Sequence, residues 1–313
     1  MSFAIKEEAL FAAEEVTYGT AVTAVATDAL EVENLQPNPA ESARIIERNI
    51  VRASLSPQPH QYGGSLFGFT FDAELKGGGS LGVAPRVGRL LKACGLKETI
   101  VASTSVTYEP ESDLSLHDSV TLTFKEGPNL RVIAGCRGNF SLSIDAAQRI
   151  MGSFTFIGKI DSEAEAAAPA STIETTLPPV FRGANFVANA IATPIGNFSV
   201  DLSNTMAIAP NPNDSEGFGD IRISARALQG SFDPEAQAIG TQDLIGDFRA
   251  ATEFAVNTGV LGSTAGNRVA ISMPRCQYVN PAPGDREALR TYEMSFRAVD
   301  TVTGDDDIAI QFT

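Results

Sequence analysis

The sequence is poor in the residues that most often build catalytic and metal sites. Its 313 residues include no tryptophan, only two histidines and three cysteines. Histidine is the usual general base and metal ligand near neutral pH, so little material exists for a histidine-based site. An odd number of cysteines does not form a disulfide framework, which favours a reducing compartment.

Long apolar runs are also missing. No stretch of 18 consecutive apolar residues occurs, so the sequence predicts no membrane-spanning helix. The first residues, MSFAIKEEALF, lack a basic region followed by an apolar one, so we expect no secretory signal. Apolar residues make up 43% of the chain, which is typical of a globular protein. The length corresponds to about two domains.

Positive charge is scarce, most of all in the second half. The chain has 23 basic and 38 acidic residues, a formal net charge of −15. Residues 161–313 contain no lysine and carry 9 basic against 20 acidic residues. A surface of this sign repels nucleic acid rather than binding it, although solubility alone also accounts for an acidic balance.

A change of composition divides the chain near its middle. Residues 161–179, DSEAEAAAPASTIETTLPP, show no apolar periodicity and end in a proline pair, which predicts a linker. We therefore expect one domain over residues 1–160 and a second, related domain over residues 180–313. The segment from Ser2 to about Asn38 shows little strand alternation and predicts a loose N-terminal arm that orders against a neighbouring subunit.

Short motifs recur in the two halves in the same order, which suggests an internal repeat. Three of the matches contain a proline pair or a glycine, and two lie near the end of each half. The matched motifs are Pro57-x-Pro59 with Pro210-x-Pro212, Gly64 with Gly217, Leu55 with Ile208, Leu75-x-Gly77 with Leu228-x-Gly230, Ala147-x-Arg149 with Ala288-x-Arg290, and Ser153-Phe154 with Ser295-Phe296.

Most of the chain alternates apolar and polar residues, which predicts half-buried strands. One apolar and one polar face per strand indicate antiparallel sheets packed as a sandwich or barrel. The expected fold is therefore mainly β, with two tandem antiparallel β-sandwich or barrel domains. The alternating stretches are 67–75, 120–124, 140–144, 154–156, 198–202, 221–225, 269–273 and 292–298.

Each half also contains one segment with helical spacing. In the first half Pro85 precedes Val87, Leu90, Leu91 and Cys94, which share one helical face, and Gly95 is placed to end the helix. In the second half a helix is expected to start near Thr241, with one face formed by Leu244, Phe248, Ala251 and Ala255.

Four features invite a chemical interpretation, and each has a plainer structural one. The pattern Gly77-x-Gly79-x-x-Gly82 matches a dinucleotide fingerprint, but the strand before it alternates polar residues, so a flexible loop is favoured. His117 and Asp118 are adjacent, so on a strand they would face opposite sides, and a surface turn is favoured. The run 305–307 of three aspartates is able to bind a hard cation, or to form a solvated turn. We expect Cys94, Cys136 and Cys276 to be buried, and we predict no cofactor and no metal.

The two Pro-x-Pro loops are polar and contain glycine, and their functional interpretation is contact with a neighbouring subunit. An ordinary solvent loop is the alternative. Two residues of a Tyr-Gly motif near the N-terminus join this candidate set. The candidates for contacts between subunits or between rings are Tyr18, Gly19, His60, Tyr62, Asn211, Asn213, Asp214 and Glu216.

Several motifs together resemble the tail tube proteins of long-tailed, non-contractile bacteriophages. The resemblance covers nearly the full chain, and the helix motif with its Cys-Gly-Leu-Lys-Glu-Thr ending is its most specific part. The motifs are Glu15-Val16-Thr17-Tyr18-Gly19-Thr20-Ala21, Pro85-x-x-Gly88-x-Leu90-Leu91-Lys92-Ala93-Cys94-Gly95-Leu96-Lys97-Glu98-Thr99, Tyr108-x-Pro110-x-Ser112, Gly135-Cys136-x-Gly138 and Gly230-Ser231-x-Asp233-Pro234-Glu235.

The resemblance implies a structural virion protein whose subunits form stacked rings around a channel for double-stranded DNA. It also implies assembly in the host bacterial cytoplasm, together with a tape-measure protein and with tail terminator or baseplate proteins. Such rings are usually built from six one-domain subunits. Because this chain has two related halves, three copies would close a pseudo-sixfold ring. If the second half is instead an external decoration, the ring is expected to be a hexamer.

The polar strand faces supply candidates for the channel lining. Asp72, Glu74, Asp201 and Glu293 lie on those faces, where negative charge would keep DNA phosphates from binding. Outward exposure to solvent is the alternative for each. Two other classes of function remain open, a secreted or surface β-sandwich binding module such as an adhesin, and an enzyme on a β scaffold. No HExxH, CxxC or P-loop motif supports the enzyme.

Overall fold

The computed structural model describes residues 8–189, 194–301 and 304–313. It is mainly β and its strand pairs are antiparallel, which confirms the predicted fold class. All eight alternating stretches of the sequence coincide with strands, although Leu75 and Leu202 fall one residue beyond theirs. The strands are β1 (Glu8–Glu14), β2 (Ala29–Leu30), β3 (Val32–Glu41), β4 (Ile45–Ile46), β5 (Gln61–Tyr62), β6 (Leu66–Glu74), β7 (Leu96–Val101), β8 (Ser105–Pro110), β9 (Val120–Glu126), β10 (Asn129–Asp145), β11 (Met151–Glu165), β12 (Val187–Ala188), β13 (Ile195–Asp201), β14 (Thr205–Pro210), β15 (Phe218–Ala225), β16 (Gln229–Pro234), β17 (Phe254–Asn257), β18 (Val269–Arg286), β19 (Leu289–Ala298) and β20 (Ala309–Phe312).

Two α-helices accompany the strands, α1 (Gly88–Ala93) and α2 (Leu244–Ala250). The predicted face of α1 is confirmed, because Val87, Leu90, Leu91 and Cys94 are all buried. Gly88 lets the start of α1 approach the buried Tyr108, whose hydroxyl group would overlap a Cβ at this position.

The second helix departs from its expected extent. It begins at Leu244, where the side chain of Asp243 caps it by accepting a hydrogen bond from the Gly246 backbone N–H, 2.8 Å away. It ends at Ala250, and Ala255 belongs to strand β17 instead. Phe248 is 36% exposed, so only Leu244 of the predicted face is buried. The helical spacing of the alanines was therefore misleading, because Ala251 ends the helix in the left-handed conformation and Ala255 is an exposed strand residue.

An eight-strand sheet runs across both halves of the chain, in the order β3-β6-β11-β10-β13-β16-β19-β18. Its first four strands come from the first half and its last four from the second. Each set of four has the same connectivity. In the spatial order given above, the third and fourth strands of each set form a hairpin, β11 with β10 and β19 with β18. The first and second strands are joined in sequence by a smaller hairpin, β4–β5 in the first set and β14–β15 in the second. We call these sets unit 1 and unit 2.

The hairpin turns and one motif support the internal repeat. Ala147 and Ala288 both adopt positive φ, 64° and 66°, in the turns that connect β10 to β11 and β18 to β19. Ser153 and Ser295 occupy the same position in their units, each followed by a buried phenylalanine. The match of Leu75 with Leu228 is not structural, because Leu75 follows the second strand of unit 1 whereas Leu228 precedes the second strand of unit 2.

Two further sets of strands extend this sheet and contribute to the shared core. Strands β2, β1 and β9 continue from β10, while β20, β8 and β7 continue from β18. The C-terminal strand β20 thereby pairs with β8 of the first half. One hydrophobic core contains residues from both halves. The division into domains at residues 1–160 and 180–313 stays a prediction.

The predicted linker is shorter than expected, because β11 continues through Asp161 to Glu165. These residues are exposed, so their pairing with β10 leaves no apolar periodicity in the sequence. The segment that follows lies against the first half. The Thr172 backbone N–H donates to the carbonyl oxygen of Ala26 at 2.9 Å, and the Arg86 guanidinium donates to the carbonyl oxygen of Thr172 at 2.6 Å.

The expectation of a loose N-terminal segment is wrong for its described residues. Strand β1 pairs with β9 along its whole length, and its residues Leu10, Phe11, Ala12 and Ala13 are buried. This strand shows no alternation because it is covered on both faces. Strand β3 of the same segment pairs with β6. Residues 2–7 lie outside the described residues.

Replacing Leu91 with alanine should lower the free energy of unfolding by about 2–5 kcal/mol, because Leu91 is 0% exposed in the shared core. Chemical denaturation of wild type, of Leu91→Ala and of the exposed control Lys97→Ala measures this. A loss below about 1 kcal/mol for Leu91→Ala would contradict the packing of α1.

Deletion of residues 2–20 should prevent folding rather than only assembly, because it removes β1 and its buried Phe11. A milder test is Phe11→Ala, expected to cost about 3–5 kcal/mol. Circular dichroism and thermal melting of both proteins measure the effect. A cooperatively folded 2–20 deletion with the wild-type melting temperature would restore the original expectation.

Candidate functional site

One face of the eight-strand sheet is polar, and small hydroxyl side chains dominate its centre. Four serines lie directly opposite one another on four successive strands, Ser143 on β10, Ser199 on β13, Ser231 on β16 and Ser295 on β19. The hydroxyl oxygens of Ser199 and Ser231 are 2.8 Å apart. The neighbours of these serines on their own strands, such as Phe198 beside Ser199 and Phe232 beside Ser231, are buried in the core.

A second row of polar residues crosses the same face, two residues away from the first row along each strand that they share. It joins Asp72 of β6, Ser153 of β11, Ser141 of β10 and Asp201 of β13. It continues through Gln229 and Arg297 of unit 2. Because residues two apart on a strand share a face, Glu74 and Glu293 belong to this face as well. The sheet therefore brings all four acidic residues predicted from the sequence onto one surface.

The surroundings of these four carboxylates differ. Asp72 accepts a hydrogen bond from the Asn34 side-chain amide at 2.7 Å, and Asp201 accepts one from that of Asn139 at 2.8 Å. Neither contact neutralises the charge. Glu293 is exposed.

Glu74 is the one of the four that is paired with cations. It lies 3.2 Å from Lys76 and 3.5 Å from Arg149. Burial lowers the pKa of Lys76, but hydrogen bonds and charge from Glu31 and Glu74 outweigh it, so the pKa of Lys76 is raised. Lys76 therefore stays charged and cancels part of the negative charge at this end of the face.

The two rows line an open groove of about 1050 Å³. Its wall includes Arg226, which lies 3.4 Å from Asp305 and 3.2 Å from Asp307. Two of the three aspartates in the run therefore form ion pairs with an arginine. No cluster of acidic, histidine and cysteine residues suited to a metal ion occurs in the described parts of the chain.

The other features with a chemical interpretation are structural. His117 follows a short 3-10 turn, where its Nε2 lies 2.8 Å from the Glu111 carbonyl oxygen. The glycine pattern from Gly77 to Gly82 is a loop between β6 and α1. The three cysteines are buried, as predicted, and burial raises the pKa of the Cys276 thiol to about 12. A thiol held protonated in this way is a poor nucleophile.

An arm projects from the sheet between β3 and β6. The arm, residues 42–63, contains the β4–β5 hairpin and the first Pro-x-Pro loop. It exposes large apolar side chains that pack on nothing in the described chain, among them Val51 at 100% and Leu55 at 107% exposure. Soluble monomers rarely expose such a cluster, and exposed apolar clusters are typical of surfaces for contact with another protein.

The base of the arm is tied to the second Pro-x-Pro loop. Glu216 accepts hydrogen bonds from the Tyr62 hydroxyl at 2.7 Å and from the Ser65 backbone N–H at 3.1 Å. The Arg44 guanidinium donates to the Gly217 carbonyl oxygen at 3.0 Å and lies over the ring of Phe218. The hydrogen bond with Ser65 lowers the pKa of Tyr62, but Glu216 outweighs it and the pKa is raised.

Other candidate contact residues also have partners inside the chain. Tyr18 accepts a hydrogen bond from the Ile221 backbone N–H, and burial raises its pKa to about 12. The Gly19 backbone N–H donates to the buried carboxylate of Glu15, which also binds Ser119, Thr121 and Gly135. Asp214 pairs with Lys159 at 2.8 Å. By contrast, His60 and Asn213 are exposed, and Asn211 is half-buried.

Comparison with known protein families identifies the chain. The profile of a family described as phage tail tube protein matches residues 6–313. The chain belongs to the phage tail tube protein family. No curated protein matches it in sequence. The tube protein is therefore a structural component of a phage tail, and its family assembles into a tube with other tail proteins.

Two features of the tube protein could not be identified from the sequence. The serine rows arise from strands far apart in the chain, and only the cross-strand register aligns them. Asp233 binds the backbone N–H groups of Gly196 and Asn197 and pairs with Arg286 at 2.5 Å, which fixes the start of β13 against β16 and the β18 hairpin. The Asp233-Pro234-Glu235 motif gave the only signal for this contact. No helix in the described ranges is long and apolar enough to cross a membrane.

Glu216→Ala should loosen the arm of the tube protein, because it removes both hydrogen bonds that tie Tyr62 and Ser65 to the second loop. We expect faster proteolysis within residues 45–60 and a small change in melting temperature, since Glu216 lies outside the main core. The control is Ser215→Ala, an exposed neighbour. Equal cleavage rates in all three proteins would show that the arm is held by something else.

Proposed function

We propose that this protein forms the tube wall of a non-contractile phage tail, with the polar face of the eight-strand sheet turned toward the DNA channel. The observation that carries the proposal is the continuity of this face across both units. Its opposite face is buried in the core, so only the polar face is free to line a passage.

The chemistry of the face suits passage without binding. Serine hydroxyls are neutral, Asp201 lines the groove, and Asp72 and Glu293 add negative charge to the same sheet face, while Arg297 is the one cation in the second row. Cations at the margins are held by carboxylates, as in the pairs of Lys159 with Asp214 and Arg149 with Glu33. A cation paired in this way is less available to neutralise a DNA phosphate, so no strong salt-dependent affinity is expected.

A ring of three chains follows from the two units. Unit 2 continues the sheet of unit 1, which supports a role for it in the wall rather than as an external decoration. Three chains would supply six copies of the four-strand unit, and the resulting barrel of about 24 strands exceeds the 16–18 strands that already leave an aqueous channel. The hexamer is the alternative outcome.

The arm supplies a contact between subunits or stacked rings. Its exposed Val51 and Leu55 would be covered by a neighbouring copy, and the nearby His60 and Asn213 would lie at the edge of that contact. The tied loop residues Tyr18, Gly19, Tyr62, Asn211, Asp214 and Glu216 would act by holding the surfaces around it in shape. Within the tail, the tube would enclose a tape-measure protein and end at terminator and baseplate proteins, after assembly in the host cytoplasm.

Electron microscopy of the purified protein tests the proposal directly. Rings or long tubes are expected, and class averages of end views should show threefold symmetry with six similar lobes. Sixfold symmetry with twelve lobes would replace the trimer with the hexamer. A protein that stays monomeric at every concentration and salt condition, and in phage lysates does not enter tails, would contradict a tube wall.

Charge reversal on the polar face tests the channel. Replacement of Asp72, Glu74, Asp201 and Glu293 by lysine should leave assembled tails that eject DNA more slowly, with the defect relieved at high salt because phosphate contacts are screened. The measurement is ejection rate against ionic strength.

The matched control replaces the same four residues by their amides, Asn or Gln. This variant removes the negative charge without adding cations, so ejection is expected to stay close to the wild-type rate. Equal rates for the lysine variant and wild type at every salt concentration, with normal tails, would reject a channel position for this face.

A further inference from the structure

An open apolar groove lies in the first half of the chain, where strands β1 and β3 separate. The short pairing of β1 with β2 ends at Leu10 opposite Leu30. Two residues later Val32 is already paired with Ala73 of β6, so the chain has turned away from β1. A groove of about 560 Å³ lies between the diverging strands.

The lining of this groove is mostly apolar and only partly covered. Leu30, Val32 and Leu35 are half-buried, and they line the groove as well as packing against the shared core. Ile173 also lines the groove and is 70% exposed. Covering this surface with another apolar segment is favourable, because it removes apolar area from water.

Ile173 is held in place by its two neighbours in sequence. The Thr172 backbone N–H donates to the Ala26 carbonyl oxygen at 2.9 Å, and the Thr172 carbonyl oxygen accepts a hydrogen bond from the Arg86 guanidinium at 2.6 Å. Glu174 forms an ion pair with Arg86 at 3.8 Å. These contacts fix the chain on both sides of Ile173, so the groove is a defined part of the fold.

Strand β1 begins at this groove. Its first two residues, Glu8 and Ala9, line the groove, and among the described residues they pair only with β9. Residues 2–7, with the sequence SFAIKE, come directly before Glu8 and lie outside the described residues. The chain that leads into β1 therefore starts next to an apolar surface that is only partly covered.

The sequence of this leading segment matches the groove. Phe3 and Ile5 alternate with Ala4 and Lys6, so an extended chain has both large apolar side chains on one side. We propose that residues 2–7 occupy the groove of their own chain, with Phe3 and Ile5 against its apolar lining and Lys6 toward water.

The connection to β1 favours the segment of the same chain over that of a second copy. Ile5 precedes Glu8 by three residues, and an extended chain of this length spans about 10 Å. So short a connection gives the segment an effective concentration on the order of millimolar, far above that of a micromolar protein solution. The free subunit thereby covers an apolar surface, whether or not it later enters a tube wall.

Thiol labelling of the soluble subunit tests the proposal. The three native cysteines are buried, so a cysteine introduced at Ile173 is the one that a maleimide reaches readily. In the Ile173→Cys protein the segment should shield this thiol. We expect labelling to become about tenfold faster when Phe3→Ser/Ile5→Ser is added, because the polar side chains no longer hold the segment in the groove.

Two matched controls accompany this measurement. Ala4→Ser/Lys6→Ser makes two changes on the other side of the same segment, so labelling of Ile173→Cys should keep its slow rate. Leu177→Cys lies further along the same stretch of chain, is 80% exposed before substitution and does not line the groove. Its labelling rate should be the same with either N-terminal pair of substitutions.

The outcomes separate the possible occupants of the groove. Equal labelling of Ile173→Cys with and without Phe3→Ser/Ile5→Ser would overturn the proposal. Shielding that appears only as the protein concentration rises would assign the groove to a second copy and would also overturn it. All of these rates are read on the free subunit, so they stand apart from the result of the tube-forming experiment.

Disulfide formation gives a second measurement that does not depend on polar substitutions. Continuing the pairing of Leu10 with Leu30 by five residues places Ile5 opposite Leu35, which lines the groove. Ile5→Cys/Leu35→Cys should therefore form a disulfide within the monomer, detected by mass spectrometry as two thiols lost to alkylation. The control Lys6→Cys/Leu35→Cys should oxidise more slowly, and faster oxidation of this control would overturn the assignment of Phe3 and Ile5 to the groove.

Discussion

The antiparallel pairing of β10 with β13 is the interaction on which the rest of the structure depends. It joins two four-strand units of the same order into one sheet, and it aligns the serine rows across them. Because the register of this pair sets which residues share a face, a slip of β13 by one residue would turn Ser199 and Asp201 into the core. The shared core and the polar face are both consequences of this one register.

The two ends of the sheet obey a different constraint from its middle. Every strand between β3 and β18 has a partner strand on each side within the chain. The outer edges cannot be satisfied in this way, and each carries proline at the exposed segment, Pro37 on β3 and Pro281 on β18. A subunit that assembles with its own copies needs edge strands that can pair with those copies but not with other chains. Proline reduces the number of backbone N–H donors on such an edge, which limits unselective strand pairing.

Polar ties hold the surfaces that surround the sheet. The buried carboxylate of Glu15 accepts four hydrogen bonds and fixes the turn that carries Tyr18. Arg137 donates to the Ile221 carbonyl oxygen at 2.9 Å and stacks on Tyr18, which anchors the β14–β15 hairpin over one end of the polar face. Burying these charged groups is tolerated because each has hydrogen-bond partners, and their directionality fixes the arrangement.

The sequence by itself determined the eight strands that alternate, the first helix and the family. Alternation in stretches such as 67–75 follows from burial of one face, and that burial is present in the structure. Four acidic residues were assigned correctly to polar strand faces for the same reason. Tertiary structure decided the rest. Strand β1 has no alternation because both of its faces are covered. Residues Asp161–Glu165 at the end of β11 are paired but exposed, so this end of the strand has no periodic signal either. The contact of Tyr62 with Glu216 joins residues 154 positions apart, and the serine rows need a register between four strands. Local patterns report which side of a strand is buried, but only the packed chain determines which strands lie side by side.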